Sequence, residues 1–194
     1  MALSNSKFQL YSKQGLWSLF LMCAFPLHFW TLLLAFRDIS WLTERSNLWD
    51  AIGVVSYGMV FAFVESVLVF IVTVLLGLLV SRNWSVERRV ALLSILVLIA
   101  SIWAMLGQLY FLLGISMPVS IIQPLFRSGH PIRYFYLALL VFVTPSIALP
   151  TYSVLQTDKG FKRAQDFIER ITLLAAFYLF FDLIGLVIVI LRNV

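Results

Sequence analysis

Residues Leu48 to Val80 decide the fold of this chain, and they read LWDAIGVVSYGMVFAFVESVLVFIVTVLLGLLV. After Asp50 the only acidic or basic side chain in the stretch is Glu65, near its middle. As one helix these 33 residues would extend roughly 50 Å, whereas the hydrocarbon core of a bilayer is about 30 Å thick. The stretch therefore predicts a membrane-spanning helix that tilts or projects into water.

Glu65 shares one side of this predicted helix with small and polar residues. Small side chains let a neighbouring helix approach closely, which favours helix association inside a membrane. We therefore expect Glu65 to point at protein rather than at lipid. Residues at spacings of three or four lie on one side of a helix, and this side comprises Gly58, Ala62, Glu65, Ser66, Val69, Thr73 and Gly77.

The composition of the whole chain agrees with a membrane protein. Of its 194 residues, 62% are hydrophobic and only 12% are charged, whereas roughly 25% are charged in a soluble domain. The net charge of +5 does not indicate a nucleic-acid partner, because no basic helix or groove with interleaved aromatic residues is present. The basic residues border the apolar runs, where membrane topology and anionic headgroups explain them.

Five apolar runs predict an all-α fold, an integral membrane bundle of about five transmembrane helices with short loops. A signal peptide is the alternative for the first run, but a signal core has about 7–15 residues and no small-x-small cleavage pattern follows the run. Three prolines in 116–132 exclude a regular spanning helix, so we expect an interfacial or partly re-entrant loop there. The chain forms a single transmembrane domain, 1–194, with predicted spans at about 16–36, 50–80, 90–115, 133–155 and 171–191.

Five spans place the chain termini on opposite sides of the membrane. Nine Lys and Arg residues lie in the N-terminal segment and the second and fourth loops, and five lie in the first and third loops and the C-terminal segment. Because basic residues favour the cytoplasmic side, we expect a cytoplasmic N-terminus and a C-terminus on the opposite side.

Glu65 and Asp182 are the sharpest candidates for a functional site. Both lie about halfway along their spans, where a charged carboxylate costs from about 3 kcal/mol upward. If they were neighbours they would share a proton, as in a proton relay or a cation site. In the other interpretation each acid is neutral or bonded to a polar residue of an adjacent helix and fastens the bundle or another subunit. Asp182 shares its side of the helix with Ala175, Tyr178 and Gly185.

Three further polar residues belong to the same hypothesis. Ser66 is adjacent to Glu65, and Ser101 and Gln108 lie on one side of the third span. Gln108 and Ser101, together with Ser94 on the same side of the third span, would line a cavity with Glu65, or they would form interhelical hydrogen bonds of about 1 kcal/mol or less each.

The two histidines are weaker candidates. His28 lies within the first span, and a haem ligand there would need a second membrane histidine, so a packed neutral imidazole is the simpler interpretation. His130 lies in the proline-rich segment next to Ser128-Gly129, and without a catalytic motif it is expected to be an exposed loop residue.

The motifs that the sequence lacks limit its possible functions. The sequence has no glycine-rich phosphate loop, no zinc-protease motif and no Cys-x-x-Cys, so we expect no cofactor, metal or nucleotide-driven chemistry. We expect a non-enzymatic subunit or assembly partner of a membrane complex. The alternatives are a proton- or cation-coupled transporter or channel component that uses the mid-membrane carboxylates, and, less favoured, a lipid-modifying enzyme using His28 or His130. The expected partners are the lipid bilayer and either another protein or a second copy.

Overall fold

Six helices make up the regular structure of a computed structural model, which describes residues 11–37, 47–80, 83–114, 116 and 118–194. No strand is present in these ranges, so the predicted all-α class is confirmed. All but the fourth helix are long and apolar enough to cross a membrane, which suggests a multi-pass membrane protein. The helices are α1 (Lys13–Arg37), α2 (Leu48–Gly77), α3 (Val86–Leu112), α4 (Val119–Arg127), α5 (Pro131–Gln156) and α6 (Asp158–Asn193).

Four of the long helices begin at a side chain that caps the first turn, and in α1 the Ser12 hydroxyl accepts a hydrogen bond from the backbone N–H of Gly15 at 2.9 Å. The Asn47 side chain accepts a hydrogen bond from the backbone N–H of Asp50, at 2.9 Å. Ser85 does the same for α3, and Thr157 for α6. Each cap satisfies one of the backbone donors that a helix start leaves without an intrahelical partner.

Helix α1 lies at the centre of the bundle, where it packs against α2, α3 and α6. Leu19, Met22, Cys23, Ala24 and His28 of α1 are completely buried. Helix α5 is peripheral by contrast: it contacts α3, α4 and α6 but not α1, and Val154 is its only buried residue. The interior of the protein is therefore built around α1, and most of α5 faces outward.

Two contacts with α2 set the direction of the helices. The Tyr11 hydroxyl donates to the carbonyl of Val74, near the end of α2, at 3.1 Å. The Arg192 guanidinium, near the end of α6, donates to the Asp50 carboxylate at the start of α2, at 2.7 Å. The two ends of the described chain therefore lie at opposite ends of the bundle. Which end faces the cytoplasm stays a prediction.

Helix α6 differs from the predicted fifth span. Hydropathy predicts this span at 171–191, preceded by a basic loop, whereas the helix begins at Asp158. Thr157 caps it, and the buried residues Ala164, Ile168 and Ile171 continue its apolar side into the polar half. The other four long helices begin and end within four residues of the predicted spans.

The proline-rich segment contains a short helix rather than only a loop. Helix α4 has nine residues and is about 14 Å long, too short to cross a bilayer. None of its residues is buried, and its packing contacts are with α5. An interfacial or re-entrant position for this segment stays a prediction.

Candidate functional site

Inside the bundle, a contact between titratable groups joins His28 of α1 to Asp182 of α6. The His28 Nε2 atom lies 2.9 Å from Oδ2 and 3.0 Å from Oδ1 of Asp182. His28 is fully buried, and Asp182 is 7% exposed. Both residues lie near the middle of apolar helices, so this is an interior polar contact and not a surface ion pair.

The surroundings of His28 fix how many protons the pair holds. Its Nδ1 atom lies 2.7 Å from the carbonyl oxygen of Ala24, and because a carbonyl only accepts, Nδ1 must carry a hydrogen. Nε2 faces the carboxyl group, so a second proton must lie on Nε2 or on Asp182. The pair is therefore imidazolium with carboxylate, or neutral imidazole with carboxylic acid. Both forms have no net charge, which reduces the cost of burial.

Aromatic packing holds the imidazole in position. The ring of Tyr178 lies parallel to that of His28, with centroids 5.7 Å apart and an interplanar angle of 7°. Phe25 stacks on Tyr178 in turn, at 6.1 Å. One turn beyond Asp182, Gly185 lies close to the backbone of Ser56 in α2, which brings α6 against α2 at the level of the pair. The site is thus enclosed by α1, α2 and α6.

Glu65 is placed differently from Asp182. It is partly buried at the edge of the buried side of α2, next to the buried residues Ala62 and Ser66. Leu68 and Val72, which are 58% and 55% exposed, lie on its other side. Within the described ranges, no hydrogen bond or ion pair involves the Glu65 carboxyl group. Its carboxyl group therefore lies at the border between the protein interior and the outer surface.

The two mid-membrane acids are not joined to each other. Gly185 packs at the level of Ser56 and Met59, and α2 and α6 run in opposite directions. Asp182 is therefore about one to two helical turns from the level of Glu65. Asp182 is bonded to His28 instead, so the two acids occupy separate environments.

The remaining polar candidates do not gather around Glu65. The Ser66 hydroxyl is buried and donates within its own helix, to the carbonyl of Ala62 at 2.6 Å. Ser101 is partly buried, and Gln108 is exposed on the outer part of α3. Counted from the α2–α3 connection at 1.5 Å per residue, Gln108 and Glu65 differ in level by about 15 Å. The structure therefore does not assemble these residues into one cavity.

His130 lies on the outside of the protein. It is exposed at the residue that precedes α5, and its backbone N–H donates to the Ser128 hydroxyl at 3.3 Å. In the described part of the chain, no three His, Cys, Asp or Glu side chains are grouped so that they could hold a metal ion.

Two cavities open on the surface of the described chain. One, of about 620 Å³, follows Gly129 to Leu140 along the start of α5. The other, of about 530 Å³, lies between the first turns of α1 and α3 and the first half of α6. Neither cavity is lined by His28, Glu65 or Asp182.

No protein-family model, characterised protein or solved structure matches this chain. Its function must therefore be inferred from geometry.

The contact between His28 and Asp182 was not predicted from the sequence. One feature of the sequence pointed to this contact. Both residues lie close to the middle of spans that run in the same direction, so they are expected at similar depth. Depth alone does not identify neighbours, however, because any two of the five helices satisfy it. The contact depends on α1 and α6 being adjacent, which residues 154 positions apart do not reveal.

Proposed function

We propose that this protein is a non-enzymatic membrane subunit that assembles with another protein, or with a second copy of itself, through the side of α2 around Glu65. The observation that carries the proposal is the Glu65 carboxyl group, which lies midway along an apolar helix without a hydrogen-bond or ion-pair partner among the described residues. Asp182, the other mid-membrane acid, has such a partner in His28.

The energetics favour a partner from outside the chain. An ionised carboxylate at the centre of a bilayer costs about 2.5–3.5 kcal/mol or more. A hydrogen bond from another helix recovers about 0.6–2 kcal/mol. Among the described residues, His28 bonds to Asp182 and no donor reaches Glu65, so a donor from another chain would complete this contact. Leu68 and Val72 beside Glu65 are exposed and provide the apolar part of such a contact.

Gln108 supports the same interpretation. Its amide is exposed on an apolar helix, where it would otherwise face hydrocarbon. An amide that both donates and accepts suits an interhelical hydrogen bond. Because it lies on a different level from Glu65, it would form a second, separate contact with the partner.

Site-specific photo-crosslinking in native membranes tests the proposal. A photoreactive residue replaces Leu68, one turn from Glu65, in the otherwise wild-type chain and in the Glu65→Gln and Glu65→Leu variants. We expect a discrete protein adduct in the wild type, retention of most of it in Glu65→Gln, which keeps a hydrogen-bonding group, and a loss of at least fivefold in Glu65→Leu.

The matched control places the photoreactive residue at Leu183 of α6, which is equally exposed at 60% but lies away from Glu65. Its crosslinks should not depend on Glu65. Crosslinking of position 68 to lipid alone, or a protein adduct that survives Glu65→Leu unchanged, would refute the proposal. The mass of the adduct distinguishes a second copy from a different protein.

A second candidate function is proton transfer, and the His28–Asp182 pair favours it. The pair holds one exchangeable proton between Nε2 and the carboxyl group in the middle of the bundle. A relay of this kind would carry protons into liposomes when the outside is made more acidic. His28→Gln and Asp182→Asn would each abolish this proton flux. Wild-type flux no greater than that of empty liposomes would exclude this function and leave the pair as a fastener.

His28 and Asp182 also satisfy the hydrogen-bond requirement of a histidine–acid pair in an enzyme. Both groups are buried, and neither surface cavity is lined by them. We therefore do not propose an enzymatic function.

A further inference from the structure

The groove of about 530 Å³ at the start of α1 and α3 has features that the proposed function does not use. Its volume is within the range of small-molecule sites, roughly 300–1,000 Å³. It lies at the end of the bundle where α6 extends 13 residues beyond its predicted span. In a bilayer this end of the bundle, where the apolar runs begin, would lie near the headgroup region.

The lining of the groove changes from polar to apolar along its length. Helices α1, α3 and α6 run in the same direction here, so residues with higher numbers lie farther from this end of the bundle on each helix. A change of polarity of this kind matches an amphiphile whose headgroup faces water and whose chains lie in hydrocarbon. The shallow end presents Gln14, Glu87 and Gln165, and the deep end presents Leu21, Ala91 and Ala176.

The charge of the groove is opposite to that of the protein as a whole. Among the described residues that line it, the two ionisable ones are Glu87 and Glu169 and none is Lys or Arg, although the chain has a net charge of +5. Both glutamates are exposed, and neither forms an ion pair with a described residue. The groove is therefore an acidic site among basic surroundings and is complementary to a cation.

Trp17 adds a third feature at the same site. It lines the groove and is 54% exposed. Tryptophan is frequent at the headgroup level of membranes, and the face of its indole attracts ammonium groups. The groove thus combines an aromatic face, two carboxylates and an apolar floor.

We propose that this groove binds a phospholipid with an ammonium headgroup, of the ethanolamine or choline class. The carboxylates of Glu87 and Glu169 attract the ammonium group, and the acyl chains extend past Leu21 and Ala176. The inference does not depend on the proposed assembly through Glu65, which lies on α2 outside the groove.

Native mass spectrometry of the purified full chain tests this inference. The protein is released from detergent after incubation with dioleoyl-phosphatidylethanolamine, dioleoyl-phosphatidylcholine, dioleoyl-phosphatidylglycerol or dioleoyl-glycerol. We expect both ammonium lipids to be retained about three- to tenfold more than the phosphatidylglycerol and the diacylglycerol, which have the same chains. In Glu87→Gln/Glu169→Gln this preference should disappear.

Two variants separate the headgroup contact from general effects on the fold. Asp166→Asn removes a negative charge from the same part of α6 but outside the groove lining, and it should leave the preference unchanged. Ala176→Trp fills the deep end and should reduce retention of all four lipids at this site. Equal retention of all four lipids by the wild type, which indicates chain binding only, would overturn the proposal. Preference that persists in the double glutamine variant would overturn it as well.

Discussion

The Nε2 atom of His28 lies 2.9 Å from the carboxylate of Asp182, and this contact joins the central helix α1 to the last helix α6 inside the bundle. The stack of Tyr178 on His28 and the Nδ1 contact with Ala24 fix the imidazole on its other sides. The contact therefore links two helices that are distant in sequence.

Removal of one member of the pair should be more damaging than removal of both. His28→Leu leaves Asp182 buried without a partner, and Asp182→Leu does the same to His28. We expect each single variant to lose about 3–5 kcal/mol of unfolding free energy. The double variant should lose clearly less than the sum, because two apolar side chains can pack where the pair lay. Unfolding in mixed micelles with increasing SDS measures the three losses. Additive losses would show that the two residues do not interact.

Much of the fold was predictable because hydropathy and length specify spanning helices directly. Four long helices begin and end close to the predicted spans, and the small-residue side of α2 contains the buried residues Ala62, Ser66, Thr73 and Gly77. The same pattern holds on α6, where Ala175, Asp182 and Gly185 are buried and Tyr178 stacks on His28. Helical periodicity therefore identified most of the packed side of these helices, although on α2 Glu65 is only partly buried and Val69 is 36% exposed.

The partners across helices were not predictable from periodicity. Helical spacing shows that a side is buried but not which helix covers it, so Asp182 could not be assigned to His28. The start of α6 was missed for another reason. Its first half is polar enough to resemble a loop, and its helical signal lies in the Thr157 cap and in the apolar residues Ala164, Ile168 and Ile171. Periodicity in a charged segment, rather than hydropathy, would have revealed it.

The close approach of Tyr11 to Gly77 makes a second prediction. A Cβ atom at Gly77 would overlap the Tyr11 hydroxyl and lie 2.8 Å from Leu93 Cδ1. Gly77→Ala should therefore displace Tyr11 and destabilise the protein by about 1–3 kcal/mol. A thermal unfolding series in non-ionic detergent measures the effect.

Gly107→Ala is the matched control, since a Cβ there would meet nothing within 4 Å. It should be neutral or stabilising by up to about 1 kcal/mol, because alanine favours the helix. In a Tyr11→Ala background the effect of Gly77→Ala should shrink. An equal loss in both backgrounds would show that the Tyr11 contact does not limit this position.

Tyr11 also predicts a dependence on alkaline pH. Burial raises the pKa of the Tyr11 phenol, and the positive charge of Arg89 opposes part of that rise. Because the folded state resists deprotonation, the contribution of Tyr11 to stability is complete below the unfolded pKa of about 10 and is lost as the pH rises through the higher folded pKa. Tyr11→Phe should therefore lose less stability than the wild type as the pH rises above about 10.

Melting temperatures across that pH range measure the difference. At neutral pH the phenylalanine variant should be less stable by about 0.5–1.5 kcal/mol, since the hydrogen bond to the Val74 carbonyl is lost. Tyr134→Phe, at a tyrosine that is 51% exposed, should follow the wild-type pH dependence. If Tyr11→Phe also follows it, Tyr11 does not contribute to the alkaline transition.

Asp182 is buried and bonded to His28, whereas the Glu65 carboxyl group is available to a partner. Labelling with dicyclohexylcarbodiimide tests this difference most directly. This apolar reagent enters membranes and adds to accessible protonated carboxyl groups. Peptide mass spectrometry locates the adduct in protein labelled in native membranes and after purification in detergent, with Glu65→Gln as the control. The account predicts an adduct at Glu65 in the purified protein, at least fivefold less at Glu65 in native membranes, and none at Asp182 in either. Labelling of Asp182, or equal labelling of Glu65 in both preparations, would contradict it.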